Sequence, residues 1–283
     1  MKLFVSLLVF ALTAGAARAE PPRVITDIAP VHALVSQVMG DLGGPQILIG
    51  PNADPHHFQM KPSQARALST ADIAIWVGPS LTPGLAGVIA DADATSVALA
   101  SDDHAHDEGH ADPHAWLDPD AAIAWLDRIA EELSGADPEN AETYMQNSRA
   151  AQDRLRALSA KIDARFATLE DRQIVVLHDA YDAFADRFGI TIAAALTDSD
   201  AHSPSAARVA DVDRLLKAGK IRCWFGEVGK SDALLIAVSE GTETRAGVLD
   251  PTGAQIPPGP ALYETLIRQM ADTIHSCLAG ASG

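Results

Sequence analysis

The sequence predicts an α/β fold with two β/α domains, each built around a mainly parallel sheet, joined by one long rigid helix. Short apolar runs alternate with amphipathic helical segments in both halves of the chain, as expected for parallel strands covered by helices. Between the halves, apolar positions from Tyr144 to Leu169 recur at steps of three, four or seven residues, with no glycine or proline among them. A helix of roughly 30 residues would span ~45 Å and limit how far the two domains can move apart.

The first residues have the features of a secretory signal peptide. Lys2 precedes an apolar run, and Ala17-Arg18-Ala19 provides a small-x-small cleavage site before the polar Glu20. The apolar run is shorter than the ~20 residues of a membrane span, which disfavours a membrane anchor. We therefore expect residues 1–19 to be removed and the mature protein to be exported.

The mature chain is expected to be strongly acidic. The full sequence has a formal net charge of −17, and the loss of Lys2 and Arg18 with the signal peptide makes this charge more negative. A protein of this charge repels phosphate backbones, and the sequence contains no basic stripe. We therefore expect no nucleic-acid partner.

Residues 20–136 are predicted to form the N-terminal domain. Apolar runs that are too short for helices indicate strands, and periodic segments with proline near the first turn indicate helices. A polar, acidic and aperiodic segment at 101–112 is predicted to be a solvent-exposed loop, called the acidic loop below. The predicted strands lie at 23–28, 46–49, 73–77 and 96–98, and the predicted helices at 30–39, 62–70, 83–90 and 119–133.

The remaining chain is predicted to contain the linker helix at 137–170 and the C-terminal domain at 171–283. Asp137 offers a helix N-cap, Pro138 suits the first helical position, and Glu139 adds an acidic group to the first turn. The second half then repeats the alternation of strands and helices. Its predicted strands lie at 174–177, 191–195, 223–225 and 245–249, and its predicted helices at 181–188, 204–218, 231–239 and 259–278.

Cys223 and Cys277 are the only cysteines in the sequence. In an exported protein, two cysteines most simply pair in the oxidising compartment. Thiolate ligation of a metal is the alternative, but it favours a close C-x-x-C spacing that the sequence lacks. We expect a disulfide that ties a strand to the last helix.

Metal-binding side chains follow the carboxyl ends of predicted strands in both halves, which is where open α/β sheets bind their ligands. His56 follows the second strand, and His114 follows the fourth strand and the acidic loop. His178 follows the first strand of the second half, and Asp250 follows the last. Three imidazoles and one carboxylate suit tetrahedral Zn²⁺ with ligand distances of about 2.0 to 2.2 Å. We expect these four residues to converge across a cleft between the domains.

Each candidate ligand also has a structural interpretation. A single histidine such as His114 is more often a hydrogen-bonded structural residue than a metal ligand. Asp179 could simply cap a helix that starts after His178. Asp250 precedes a proline, and its role could simply be to end a strand and form a turn.

The other histidines in ordered segments are weaker candidates. His57 is adjacent to His56, but the two side chains point in different directions, and Pro55 restricts the backbone at His56, so His56 is preferred. His32 and His275 lie within predicted helices, and we interpret both as structural.

Polar loops supply further candidates. His104, His106 and His110 lie in the acidic loop, whose composition is that of a surface loop and is compatible with weak, transient capture of metal ions. His202, in another polar loop, is a weak outside candidate. Glu227 follows a predicted strand and could orient a metal ligand by contacting it, without binding the metal itself.

Several short motifs, in order along most of the chain, resemble those of the metal-binding solute-binding proteins of bacterial ABC transporters (cluster A-I, or family 9), most closely the zinc-specific ZnuA type. The motifs are Asp54-Pro55-His56, Lys61-Pro62-Ser63, Trp76-Val77-Gly78, His114-Ala115-Trp116-Leu117-Asp118-Pro119, His178-Asp179-Ala180-Tyr181 and Gly247-Val248-Leu249-Asp250-Pro251. An ordered series of this kind is far more specific than any single motif.

The resemblance implies the ligands by position. His56, His114 and His178 match the family's ligands, and Asp250 matches an aspartate that is a ligand in many members. Manganese-binding relatives tend to have a glutamate where His178 stands, so the resemblance favours zinc. The cysteine pair matches that of the zinc members. Some relatives carry a much longer histidine-rich insert at the position of the acidic loop.

The resemblance also implies the function: a periplasmic receptor that holds Zn²⁺ between two domains and delivers it to an ABC permease at the inner membrane. We expect the receptor to be a monomer. A periplasmic metallochaperone is a further candidate partner. One alternative is a Mn²⁺ or Fe²⁺ receptor of the same family. The other is a secreted zinc hydrolase, which would need an open coordination position and a general base. Ligands spread over two domains, without an H-E-x-x-H or G-x-S-x-G motif, indicate that the protein is not an enzyme.

Overall fold

The computed structural model describes residues 20–51, 53–100, 112–197 and 204–280. Within these ranges the chain forms two four-stranded sheets in which all neighbouring strands are parallel. The predicted α/β class and the predicted parallel sheets are confirmed. None of the helices in the described part of the chain is both long enough and apolar enough for a membrane crossing.

The first half alternates strands and helices at the predicted positions. In chain order its elements are β1 (Val24–Thr26), α1 (Ala29–Met39), β2 (Gln46–Ile47), α2 (Pro62–Ser69), β3 (Ile73–Trp76), α3 (Pro83–Ala90), β4 (Thr95–Ala98) and α4 (Pro119–Ala136). The strand order in the sheet is β2-β1-β3-β4. β1 is shorter than predicted and ends at Thr26, next to the buried Asp27. The Asp27 carboxylate accepts hydrogen bonds from the N–H groups of Ile28 at 2.8 Å and Val77 at 2.9 Å.

The predicted long helix is present as α5 (Ala141–Phe166), which is preceded by a short 3₁₀ turn. Asp137 and Pro138 start this 3₁₀ turn in the N-cap and first positions, as predicted, but the Asp137 side chain makes no cap hydrogen bond and the α-helix itself begins later than predicted. Instead, one carboxylate oxygen of Asp137 accepts hydrogen bonds from Asn140 Nδ2 at 2.7 Å and from the hydroxyl of Tyr144 at 2.8 Å. Twenty-six residues correspond to ~39 Å, so α5 is long enough to run along both halves.

The second half repeats the alternation. Its elements are β5 (Gln173–His178), α6 (Asp182–Phe188), β6 (Thr191–Thr197), α7 (Ala206–Lys217), β7 (Cys223–Glu227), α8 (Ala233–Ser239), β8 (Arg245–Leu249) and α9 (Leu262–Ala279). The strand order is β6-β5-β7-β8. A disulfide joins Cys223 of β7 to Cys277 of α9, with a Cα–Cα distance of 6.1 Å, which confirms the predicted pairing.

Two apolar clusters fill the interior of the described part of the chain. The larger one, called the shared core below, contains buried residues of both sheets together with the inner face of α5, which packs against α1, α4 and α9. The smaller one lies on the opposite face of the second sheet, where Val212 of α7 and Leu235 of α8 are fully buried. The two halves are therefore held together by packing as well as by the chain.

Candidate metal centre

Three histidine side chains from distant parts of the sequence meet at the carboxyl ends of the two sheets. One ring nitrogen from each of His56, His114 and His178 lies within 4.8 Å of the other two. The Nε2 atoms of His56 and His114 are 3.2 Å apart, and the ring of His178 lies 5.2 Å from that of His114, measured between centroids. Within the described residues, no other group of three or more histidine, cysteine or acidic side chains has this geometry.

A repeated Asp-Pro-His sequence positions two of these rings. The carboxylate of Asp54 accepts a hydrogen bond from the backbone N–H of His56 at 2.9 Å, and that of Asp112 accepts one from the backbone N–H of His114 at 2.7 Å. Each aspartate therefore fixes the backbone of the histidine two residues later, in the manner of an Asx turn. The recurrence of this tripeptide is a sequence signal that the strand-end argument did not use.

The structure brings His56, and not its neighbour His57, into the cluster. The Nδ1 atom of His57 lies 2.9 Å from a carboxylate oxygen of Asp54, and its side chain is 57% exposed. His32 and His275 also lie elsewhere. His32 Nδ1 is 3.5 Å from the hydroxyl of Ser36 within α1, and the ring of His275 stacks on that of Phe166.

Burial keeps the His114 imidazole neutral. The ring is almost inaccessible to solvent, and this desolvation, together with the nearby His178 and His56, holds the pKa of His114 well below its usual value of 6.5. A neutral imidazole has a lone pair on one ring nitrogen that can bind a metal ion. The cluster is thus prepared to accept a cation at neutral pH.

The turn that carries His114 is fixed to the second half of the molecule. Trp116, two residues later, is buried, and its indole N–H donates a hydrogen bond to the carbonyl of Pro251 at 2.8 Å. The hydroxyl of Tyr263 donates to the carbonyl of Trp116 at 2.7 Å. The indole ring also lies 5.4 Å from the His114 ring.

His178 is the last residue of β5, and a carboxylate lies next to its ring. Its Nδ1 lies 3.4 Å from Oε2 of Glu227, the last residue of β7. The hydroxyl of Tyr181 donates to the same Oε2 atom at 2.9 Å. The sequence suggested Glu227 as an orienting residue but did not point to Tyr181.

The structure does not bring Asp250 into the cluster. One of its carboxylate oxygens accepts a hydrogen bond from the N–H of Ala254 at 2.9 Å, and the other accepts one from the N–H of Gln255 at 3.0 Å. Asp250 thus stabilises the turn after β8, which is the structural interpretation considered above, and its role as a metal ligand stays a prediction. His104, His106, His110 and His202 lie outside the described residues.

A protein-family model described as the periplasmic zinc-uptake complex component A, ZnuA, matches residues 24–277. The chain belongs to the ZnuA family. It is 40% identical to the high-affinity zinc uptake system protein ZnuA of Paracoccus denitrificans, in an alignment that covers 93% of each chain. The resemblance seen in the motifs is confirmed.

Solved structures share the fold of this ZnuA family member. A zinc-bound ZnuA with residues 138–173 of its own chain deleted superposes with a TM-score of 0.80 at 23% identity, covering 91% of this chain and 98% of the other. The protein FpvC of Pseudomonas aeruginosa, in complex with Mn²⁺, superposes with a TM-score of 0.82 at 22% identity, covering 93% of this chain and all of the other. At these identities the likeness establishes the fold alone.

Proposed function

We propose that the protein is a periplasmic receptor that captures Zn²⁺ between its two halves and delivers it to an ABC permease. The observation that carries this proposal is the cluster of His56, His114 and His178, whose ring nitrogens lie within 4.8 Å of one another. Two of these residues come from the first half and one from the second, so a bound ion would hold the halves together. Membership of the ZnuA family supports the same function.

His56, His114 and His178 are the proposed ligands, and Asp250 is the candidate for the fourth position. Imidazole nitrogen is a preferred ligand of Zn²⁺, whereas Mn²⁺ favours carboxylate, carbonyl and water oxygens. Three histidines therefore favour zinc over manganese as the cargo. To bind the ion, the carboxylate of Asp250 would have to move into the cluster from its place in the turn, where its oxygens accept hydrogen bonds from the N–H groups of Ala254 and Gln255.

The remaining parts of the proposal concern location and partners. Residues 1–19 are proposed to be a cleaved signal peptide, the receptor to be a monomer, and a periplasmic metallochaperone to be a further partner. His104, His106 and His110 are proposed to capture metal ions weakly. The protein is proposed to have no enzymatic role, and metal-dependent hydrolysis of esters or peptides that is lost in His178→Ala would contradict this.

Competition titrations of the apo protein test the proposal. With a chelating indicator, we expect one Zn²⁺ per chain and a much lower affinity for Mn²⁺. Comparable affinities for the two ions would contradict zinc specificity. A metal-edge anomalous map of the loaded protein would identify the ion and its ligands, including the place of Asp250.

Two adjacent histidines provide a matched pair of variants. His56→Ala removes a proposed ligand and should lower the zinc affinity by more than the ~10- to 100-fold loss typical of outer-shell changes. His57→Ala removes an exposed imidazole outside the cluster and should leave the affinity nearly unchanged. Equal effects of the two substitutions would be inconsistent with the proposed ligand set.

A further inference from the structure

Tyr181, Glu227 and His178 form a buried chain of polar groups within the second half. All three side chains are at most 7% exposed. β5 and β7 are neighbours in the sheet, and Val176 of β5 is in register with Phe225 of β7. His178 and Glu227 lie two residues beyond these partners, so they end adjacent strands side by side and face the same side of the sheet. The fold thus places a carboxylate beside the proposed zinc ligand.

The contacts assign an orientation to the His178 ring. The Nδ1 atom faces Oε2 of Glu227 at 3.4 Å, slightly longer than an ordinary N–H···O hydrogen bond. Because a carboxylate only accepts hydrogen bonds, it favours the tautomer of the neutral ring that is protonated at Nδ1. In that tautomer the lone pair is on Nε2, on the other side of the ring. A metal-bound histidine typically donates its second ring N–H to such a carboxylate.

Tyr181 fixes the carboxylate in turn. Its hydroxyl donates a 2.9 Å hydrogen bond to Oε2 of Glu227, the same oxygen that faces His178. This bond holds that oxygen beside the ring of His178. Within the described residues, Glu227 does not belong to the ligand cluster. Its charge also offsets part of the two positive charges that three neutral imidazoles would leave on the ion.

We propose that the Tyr181–Glu227 pair is the positioning device of the site: it sets the tautomer and the orientation of His178 and supplies nearby negative charge for the bound cation. This inference rests on the proposed zinc-binding function and names residues through which the second half tunes the affinity. Within the described residues, neither side chain belongs to the histidine cluster, so both are positioning residues and not ligands.

The test compares the zinc affinities of Glu227→Gln and Tyr181→Phe with that of the wild type, using Zn²⁺ and a competing chelator. Glutamine keeps the shape and an acceptor oxygen but lacks the charge, so we expect a loss of about 10- to 100-fold. Phenylalanine lacks only the hydroxyl, so we expect a smaller loss in the same direction. If Glu227→Gln does not fold, Tyr181→Phe still decides the question.

A second buried tyrosine–carboxylate pair provides matched controls. The hydroxyl of Tyr144 donates to the carboxylate of Asp137 at 2.8 Å, at the start of the linker helix, and neither residue belongs to the histidine cluster. Tyr144→Phe and Asp137→Asn should lower the melting temperature as the test variants do, but change the zinc affinity by no more than about twofold. A general packing effect would instead weaken zinc binding in all four variants.

Long-range ¹H–¹⁵N NMR spectra of the zinc-loaded protein report the tautomer of His178, a property that does not depend on the stability of the protein. We expect His178 to be protonated at Nδ1 in the wild type and its ring proton to exchange faster with water in Glu227→Gln. Protonation of His178 at Nε2, or wild-type affinity in both test variants, would overturn this inference and leave the proposed function standing. A wild-type protein that fails to bind zinc would overturn the proposed function as well.

Discussion

Single residues at the carboxyl ends of the strands account for much of the site. His178 and Glu227 are each the last residue of a strand. The rule that ligands bind beyond these ends predicts the three clustered histidines from the sequence alone. The rule could not predict whether Asp250 points towards the cluster, because a carboxylate after a strand can equally accept the N–H groups of its own turn.

Asp27 is expected to make the stability depend on pH. Burial raises the pKa of this carboxyl from 3.8 to about 6, although the N–H groups of Val77 and Ile28 oppose the shift. Because the folded state holds the proton more tightly than the unfolded state, protonation of Asp27 favours folding. This contribution to the free energy of unfolding is fully present below about pH 4. It is lost as the pH rises through about 6, and the loss amounts to about 3 kcal/mol.

Urea unfolding of the wild type and Asp27→Asn between pH 4 and 7.5 measures this effect. The asparagine cannot titrate, so the unfolding free energy of the wild type should fall relative to that of the variant as the pH rises. Subtracting the variant removes the contributions of other groups, including the buried His114. A difference that is independent of pH would contradict the raised pKa of Asp27.

At the scale of elements, the sequence predicted the type and order of every strand and helix described above, but not their ends. Apolar alternation and proline positions mark where an element lies, whereas its end depends on side chains that contact it in the folded protein. Asp137 is an example: its carboxylate accepts hydrogen bonds from Asn140 and Tyr144, and the turn that follows it is 3₁₀, so the α-helix begins later than the N-cap pattern indicated.

Helix α3 lies against the loop that carries His56, and a glycine permits this approach. A Cβ atom at Gly84 would lie 2.9 Å from the carbonyl oxygen of Phe58, two residues after His56. Gly84→Ala should therefore displace the helix or the loop. We expect a loss of stability of about 1 to 3 kcal/mol and a weaker affinity for zinc.

Gly87, in the same helix, is the matched control for this substitution. A Cβ atom there would meet no atom within 4 Å, so Gly87→Ala should raise stability by about 0.5 to 1 kcal/mol through helix propensity and leave zinc binding unchanged. Chemical denaturation and chelator competition on both variants measure these effects. Equal zinc affinities for the two variants would show that the loop does not depend on the close approach of α3.

At the scale of the whole molecule, Trp116 links the His114 turn to the opposite half. Trp116→Phe removes the indole N–H and leaves the buried carbonyl of Pro251 without this donor, which should cost about 1 to 3 kcal/mol. Because Trp116 follows His114 closely and packs against its ring, the substitution should also weaken zinc binding.

Trp76→Phe is the comparison for this prediction. The indole N–H of Trp76 donates to the hydroxyl of Ser96 at 3.2 Å, a contact that lies within the first half. We expect this variant to lose some stability in urea unfolding but to retain its zinc affinity. If both tryptophan variants kept the wild-type affinity, the contact between halves would have no part in positioning His114.

The convergence of the histidines could be predicted from the sequence, but the links between the halves could not. Tyr263 and Pro251 contact Trp116 although they lie more than 130 positions away in the chain. No periodicity or spacing in a single sequence relates positions so far apart. The resemblance to a family implies the overall arrangement, whereas the contacts that maintain it are seen only in the folded protein.

The uneven distribution of apolar residues between the two clusters determines which parts of the protein unfold together. The shared core spans both sheets, so it can melt only if both halves lose their structure in one cooperative event. The smaller cluster beneath α7 and α8 involves one face of the second sheet alone. Those two helices are therefore expected to detach and return through local fluctuations while the edge that carries the three histidines stays intact.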